Sequence, residues 1–346
     1  MIFYITIFII SIIFVHFAGK KTNSYILHFF ALTGPILIMS LRDQNVGTDT
    51  PHYADMYDWS YSANSLLDYL LATRIEPLFA TLLYVCSHNN LSLIGLYFTS
   101  AVLSILPVYY VAIKNRNEAS PVLVMFIFYM LFCPYAFNIM RQSIATAFLV
   151  LALHFLLRKE YIKTYLFVLI AFLNHYISIC FLPIVLFIQF RNLANKKAIA
   201  VFVLLFVLFL PRIIPLFDSS LDYYQGTYMD KGRVVYQSCY VVEMLLNFLL
   251  VFWAKRYKKY IDNYSVYLIL SFLTLIAIGS STIAPYIYRI AIMLDMLMLI
   301  YMPQVLQKNN VCRFAYVVFA IFFFWFVFVY NKTSGIVPYH STILGV

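Results

Sequence analysis

Four short stretches and the lone Glu76 carry side chains able to do chemistry in a chain that is otherwise mostly apolar. In FNIMRQSIATAF, Arg141 and Gln142 open an apolar helix. The first turn of a helix carries partial positive charge and unbonded N–H groups, so an arginine added there makes a phosphate site. In AFLNHYISICF, His175 sits at the turn between two short apolar runs. Its ordinary titration range suits a general base. Arg289 follows IAPYIY at the start of another run, with Asp295 two turns deeper where the two could pair. Arg212 lies in LPRIIPLF between helix-breaking prolines, and Glu76 precedes Pro77 at the start of a short apolar segment. The plainer readings are a snorkelling interfacial arginine and a satisfied structural histidine. Ionisable residues inside or at the edge of apolar spans are functional hypotheses by default.

A fifth polar stretch, RDQNVGTDTPHY, spans residues 42–53 after some forty apolar residues. Gly47 permits a tight or left-handed turn. Thr48, Asp49 and Thr50 can bond local backbone and cap the next helix, with Pro51 in its first turn. The following YADMYDWSYSANSLLDYLL reads as one amphipathic helix on a membrane surface, rich in Tyr and Trp. Aromatic faces of this kind also stack on sugar rings. Asp49 as a simple N-cap and the aromatics as an interfacial belt are the bland alternatives.

The elements that hold these residues must be membrane helices. The chain has 346 residues, 64% hydrophobic and 11% charged, whereas roughly a quarter of a soluble domain is charged. Runs of about 20 apolar residues, enough to span a bilayer, recur from end to end. The expected fold is an all-α polytopic integral membrane helical bundle, one transmembrane domain over residues 1–346. Its twelve spans are expected near 2–18, 25–41, 92–113, 120–137, 142–157, 163–175, 176–190, 198–216, 238–253, 265–283, 289–303 and 314–330. Residues 77–88 add a short re-entrant or interfacial helix. Long loops are expected at 42–76 and 217–237. The N-terminus has neither a basic region nor a cleavage site and reads as a retained span. The five cysteines have no metal-like spacing and read as packing residues.

Orientation follows from the basic residues, which favour the cytoplasmic side. The linkers GKKTNS, KNRNE, RKEYIK, RNLANKK, AKRYKKY and QKNNVCR all fall inside if 77–88 does not cross. Both termini and the two long loops then lie outside. The inner linkers are dominated by lysine. The basic residues left outside are mostly arginine: Arg42, Arg74, Arg141, Arg212, Arg233 and Arg289. Outer arginines oppose orientation. Their planar fork grips phosphate bidentately, which points to an anionic ligand, most simply a lipid phosphate or diphosphate. The chain has no P-loop, no Gly-rich dinucleotide loop, no inward DxD pair and no Cys/His cluster. No cofactor, no metal and no nucleic-acid partner is expected.

LRDQNVGTDTPHYADMY, EPLFATLLYV and the block from MRQSIATAF to LNHYISICFLPIVL resemble the EpsG-like family of bacterial membrane proteins. That family is grouped with the Wzy-type polymerases of O-antigen, capsule and exopolysaccharide. The likeness is strongest over roughly residues 40–190, with APYIYRIAIML and GIVPYH weaker matches. It implies a polymerase in the bacterial plasma membrane that joins undecaprenyl-diphosphate-linked oligosaccharides, donor and acceptor, at the outer face. A chain-length regulator is a candidate partner besides membrane lipid. The matching motif residues are Arg42, Gly47, Asp49, Glu76, Arg141, Gln142, His175 and Arg289.

Within that reading, Arg141 and Arg289, with Arg212 or Arg233, neutralise the leaving diphosphate. His175 is the first choice of base, Glu76 the second and Asp49 the third. Arg42, Asp49 and Gln142 are further substrate-binding candidates. Three rivals remain: a lipid-linked oligosaccharide flippase, an O-antigen ligase and an acyltransferase. A flippase should place its charges deep in the bundle. A ligase shares the outward Arg and His logic and is separated only by the resemblance. An acyltransferase commonly pairs its His with an Asp at helical spacing, which LNHYIS lacks.

Overall fold

The computed structural model describes residues 2–190, 234–257, 263–281 and 287–346. They are overwhelmingly helical, with no strand among the described residues. The expected all-α membrane bundle is what the chain forms. Among the described residues, six helices are long and apolar enough to cross a bilayer: Ile2–Lys20, Ser92–Lys114, Pro121–Asn138, Met140–Leu157, Ser238–Arg256 and Asn310–Tyr330. Shorter apolar helices fill the places between them.

In chain order these begin with α1 (Ile2–Lys20) and α2 (Tyr25–Ser40), a packed hairpin. Next come the short helices α3 (Thr50–Tyr61), α4 (Leu66–Ala72) and α5 (Pro77–His88), and the long α6 (Ser92–Lys114). The helix α7 (Pro121–Ile127) runs through a π-turn, Phe128–Phe132, into α8 (Cys133–Asn138). The central α9 (Met140–Leu157) is followed by α10 (Tyr161–Asn174), a 3₁₀ turn at Tyr176–Phe181 and α11 (Leu182–Phe190). The remaining long elements are Val234–Trp253, Tyr264–Ser280, Ile287–Met296 and Asn310–Phe324.

The helix α9 is the centre: 83% of its spanning window is buried against 28% for α1. It packs on α6, α8 and α10. With lipid outside as apolar as leucine, such packing relies on van der Waals contact and occasional interhelical hydrogen bonds. Ser11 supplies one example, its hydroxyl 2.8 Å from that of Tyr129.

Three irregular turns share one cause. The π-turn ends just before Pro134, the 3₁₀ turn at 176–181 before Pro183, and a 3₁₀ turn at Leu297–Ile300 before Pro303. Each proline lacks the N–H that the carbonyl four residues earlier needs, and its ring crowds that carbonyl. The span expected at 289–303 is therefore split into Ile287–Met296, the 3₁₀ turn and Met302–Leu306.

Other expectations shift. The single surface helix expected after Tyr53 is two helices, because Ser65 starts a new one. Its hydroxyl accepts from the Asp68 N–H at 3.1 Å and meets the Asp68 carboxylate at 2.6 Å. That is a serine N-cap, with Asp68 in the first turn, within the aromatic stretch. The helix expected at 238 already begins at Val234. The span expected at 198–216, and most of the loop expected at 217–237, lie outside the described residues, as do Arg212 and Arg233.

The loop after α2 is sewn to the C-terminal tail. Gly47 N–H donates to the Gly335 carbonyl and Thr48 N–H to that of Ser334, both at 3.0 Å. Asp43 N–H donates to the His340 carbonyl at 3.0 Å, and Thr342 N–H returns a bond to the Asp43 carboxylate at 3.0 Å. Gly47 has φ +105°, and a Cβ there would stand 2.8 Å from the Phe137 carbonyl oxygen. Only glycine fits that turn.

Candidate active site

The α8–α9 junction fixes one side of the site. Asn138 ends α8, and its Oδ1 accepts from the Asp49 N–H at 2.6 Å and the Thr48 hydroxyl at 2.9 Å. The polar loop is thereby docked on the start of α9. Asp49 occupies the N-cap position of α3 without capping it: its side chain makes no cap hydrogen bond. The Thr50 hydroxyl turns to the Val46 carbonyl at 2.8 Å.

Arg42 lies beneath this loop, buried, with its guanidinium 4.2 Å from the centre of the Tyr97 ring and 5.4 Å from that of Phe137. It donates to the carbonyls of Met39 and, at 3.2 Å, Phe137. Burial pushes it down to about 10, partly offset by neighbouring tyrosines, which leaves it a cation at neutral pH. Arg42, grouped with the substrate-binding candidates on sequence, holds α2 to α8 through these carbonyls and also reaches the Met140 sulfur at 3.4 Å.

Glu76, Arg141 and His175 meet. Glu76 ends the approach to α5, where Pro77 has no N–H to be capped. Its Oε2 receives Arg141 Nη1 at 2.7 Å. Its Oε1 lies 2.8 Å from His175 Nδ1 and 3.3 Å from the Tyr176 N–H. Burial would raise the carboxyl, but Arg141 and the His175 hydrogen bond outweigh it and hold it well below the usual carboxylate range. Burial lowers His175 below its ordinary 6.5, Glu76 opposes, and Arg141 and Arg289 lower it further.

A neutral imidazole beside an ionised carboxylate carries its proton on the nitrogen that faces it. Nδ1–H therefore donates to Glu76, and Nε2 keeps a bare lone pair. That Nε2 is buried and has no hydrogen-bond partner among the described residues. The arrangement is a carboxylate-oriented imidazole, a geometry that serves nucleophile activation on unrelated folds. Glu76, ranked as the second base, is instead the residue that fixes the tautomer.

Gln142, one residue on from Arg141, donates from Nε2 to the Arg289 carbonyl at 2.8 Å. This ties the start of the Ile287–Met296 helix to the start of α9. Asp295, expected as a partner for Arg289, bonds Asn247 Nδ2 at 2.9 Å, and the same amide reaches Glu243 at 2.6 Å. Tyr316 completes that buried cluster, donating to Asn247 Oδ1 at 2.9 Å. Two acidic side chains, Glu243 and Asp295, therefore sit inside the bundle.

The EpsG family model matches residues 25–341. The chain belongs to the EpsG family. No curated protein and no solved structure matches it. Family membership makes this a multi-pass membrane protein of polysaccharide-polymerase type. The match spans both the Glu76–Arg141–His175 cluster and the loop and tail that bond across residues 43–48 and 334–340.

Reading the sequence of this EpsG-family chain passed over His52. It stands three residues after Asp49 and is half-buried, lowered first by burial and then by Arg141, with Asp49 and Asp55 opposing. Its signal was its place in the RDQNVGTDTPHY block, on the helix face of Asp49. Asn138 was also passed over, and nothing in its local sequence marks it.

Proposed function

We propose that this protein polymerises oligosaccharide repeat units carried on undecaprenyl diphosphate, by glycosyl transfer at the outer face of the bacterial plasma membrane. The observation that carries the reading is the partnerless Nε2 of His175, held by Glu76 beside Arg141. A hydroxyl of the acceptor unit bonds Nε2. Its oxygen attacks the anomeric carbon of the donor's first sugar, and His175 takes the proton. The bond from that carbon to the diphosphate oxygen breaks, and undecaprenyl diphosphate leaves with the electron pair.

Charge growing on the diphosphate is met by Arg141 and Arg289, whose forks accept it without reorganisation. Arg141 keeps 14% of its side chain accessible against 5% for Glu76, so the arginine is the member of the pair positioned to reach a ligand. No metal step is required in this scheme. Gln142 supports Arg289 through its carbonyl, and Asp49 with the aromatic faces of α3 holds sugar. The lysine-rich linkers at the far end of α9 support the sidedness.

The test is His175→Gln, which keeps size and some hydrogen bonding but removes basicity. The variant should insert and still bind lipid-linked substrate, and should lose about a hundredfold to ten-thousandfold in rate. Products are read as a ladder on a polysaccharide gel. Near-normal chain length in the Gln variant would overturn the base assignment. A deletion strain should leave single repeat units on their acceptor, whereas loss of a flippase would leave none.

A further inference from the structure

A cavity among the described residues lies at the opposite end of the bundle from His175. Its volume is about 320 Å³, at the lower end of the range for ligand pockets. It opens between α1, α7 and the Asn310–Phe324 helix. Its walls are Ile12, Val122, Leu123, Phe126 and Val317, and its polar lining is Ser120, Gln307 and Arg313.

Its depth follows from helix geometry. Arg158 closes α9, and it bonds Asn115 Oδ1 at 2.8 Å and Glu118 at 3.2 Å, just before Ser120. The 18 residues of α9 therefore separate the cavity mouth from Arg141, about 27 Å at 1.5 Å per residue. Ser120 is the N-cap of α7, Gln307 closes the Met302–Leu306 helix and Arg313 lies in the first turn of the Asn310–Phe324 helix, so all three stand at helix ends, at interfacial height. Ile12 lies eight residues before Lys20 on α1, and Val317 seven after Asn310, so the apolar walls run about 10–12 Å inward.

The polar groups at the mouth are available. Arg313 is exposed and gives one Nη2 bond to Asn310 Oδ1 at 3.0 Å, leaving the rest of its fork uncommitted. The hydroxyl of Ser120 makes no cap bond to α7. Lys308 lies one residue after Gln307, and the end of α1 comes against α7 where a Gly19 Cβ would meet Pro121 at 3.3 Å, bringing Lys20 to the same level. No acidic side chain lines the cavity. An apolar slot running into the membrane, topped by an arginine, an amide and a hydroxyl, has the polarity profile of a lipid with a negatively charged head.

We propose that this cavity is a binding site for an anionic phospholipid of the leaflet facing the α6–α7 linker. Its phosphate sits on the Arg313 fork with the Ser120 hydroxyl and Gln307 amide, and one acyl chain lies along Phe126 and Val317. Basic pockets between membrane helices recognise anionic headgroups by this combination of charge and apolar depth. The site is independent of the glycosyl-transfer chemistry and does not rest on it.

The experiment is native mass spectrometry of the purified full chain with equimolar phosphatidylglycerol and phosphatidylcholine. The wild type should retain phosphatidylglycerol about fivefold over phosphatidylcholine, the factor that ~1 kcal/mol from one basic residue at a membrane surface amounts to. Arg313→Gln should bring the two near parity, with an unchanged melting temperature because the side chain is exposed. Val317→Trp, which fills the slot, should lower retention of both. Equal retention by the wild type, or an undiminished preference in Arg313→Gln, would overturn the proposal. Displacement of phosphatidylglycerol by equimolar undecaprenyl phosphate would also overturn it, because the occupant would then be the carrier lipid.

Discussion

Glu76→Gln separates orientation from basicity. In the native protein one carboxylate serves two partners, His175 Nδ1 at 2.8 Å and Arg141 Nη1 at 2.7 Å. Glutamine keeps the shape and removes the charge. Its amide nitrogen can donate to Nδ1, which moves the imidazole proton to Nε2 and blocks the base. The rate should then fall as if the base were lost, about a hundredfold to ten-thousandfold, which is ~2.7–5.4 kcal/mol of barrier at 1.36 kcal/mol per tenfold. Stability should also fall. Removing one partner of a buried ion pair costs about 3–5 kcal/mol, an upper figure here because Arg141 keeps 14% of its side chain accessible and can turn toward solvent. Purified variant and wild type are compared by initial rate with lipid-linked repeat units, with a thermal melt confirming the fold. The Michaelis constant for the donor should not rise, because Arg141 keeps its charge and gains freedom. A folded Glu76→Gln protein within about tenfold of wild-type rate would refute the tautomer argument, since general-base losses start near a hundredfold.

Four further outcomes follow. Arg141→Lys keeps charge but loses the fork; polymer on the gel should fall sharply at unchanged protein level, and normal chains would remove the bidentate role. The pH–rate profile should rise through a midpoint below 6.5 and stay level above it, because His175 is held below its ordinary value and acts as the neutral base. Stability has the same sign: the unfolded chain binds more protons, so stability falls as pH drops below 6.5 for His175 and again below 4.5 for Glu76, readable as a lowered melting temperature in acid. A cysteine at Asn45 should react with an impermeant thiol reagent from outside intact cells, and one at Asn117 should not; labelling at Asn117 would invert the topology.

The membrane class was fixed by composition alone, because 64% hydrophobic residues in runs long enough to span leave water no role as the main solvent. Helix limits were legible for the same reason: a backbone in lipid must bond within its own helix, so apolar runs and helices coincide. The breaks at Pro134, Pro183 and Pro303 were legible in principle, since each proline acts on its own preceding turn. The N-cap at Ser65 was equally local and was hidden only by the aromatic pattern around it. Arg141 and His175 could be picked out as polar groups at the ends of apolar runs. What they do to each other could not, because the group that joins them, Glu76, lies 65 residues from one and 99 from the other. The same distance effect turned Arg42 into an interior brace under Tyr97 and sent Asp295 to Asn247. Local sequence fixes which side chains reach the end of a helix. Only the packing of α5, α9 and α10 decides which of them share one carboxylate, and therefore which nitrogen of His175 is left bare.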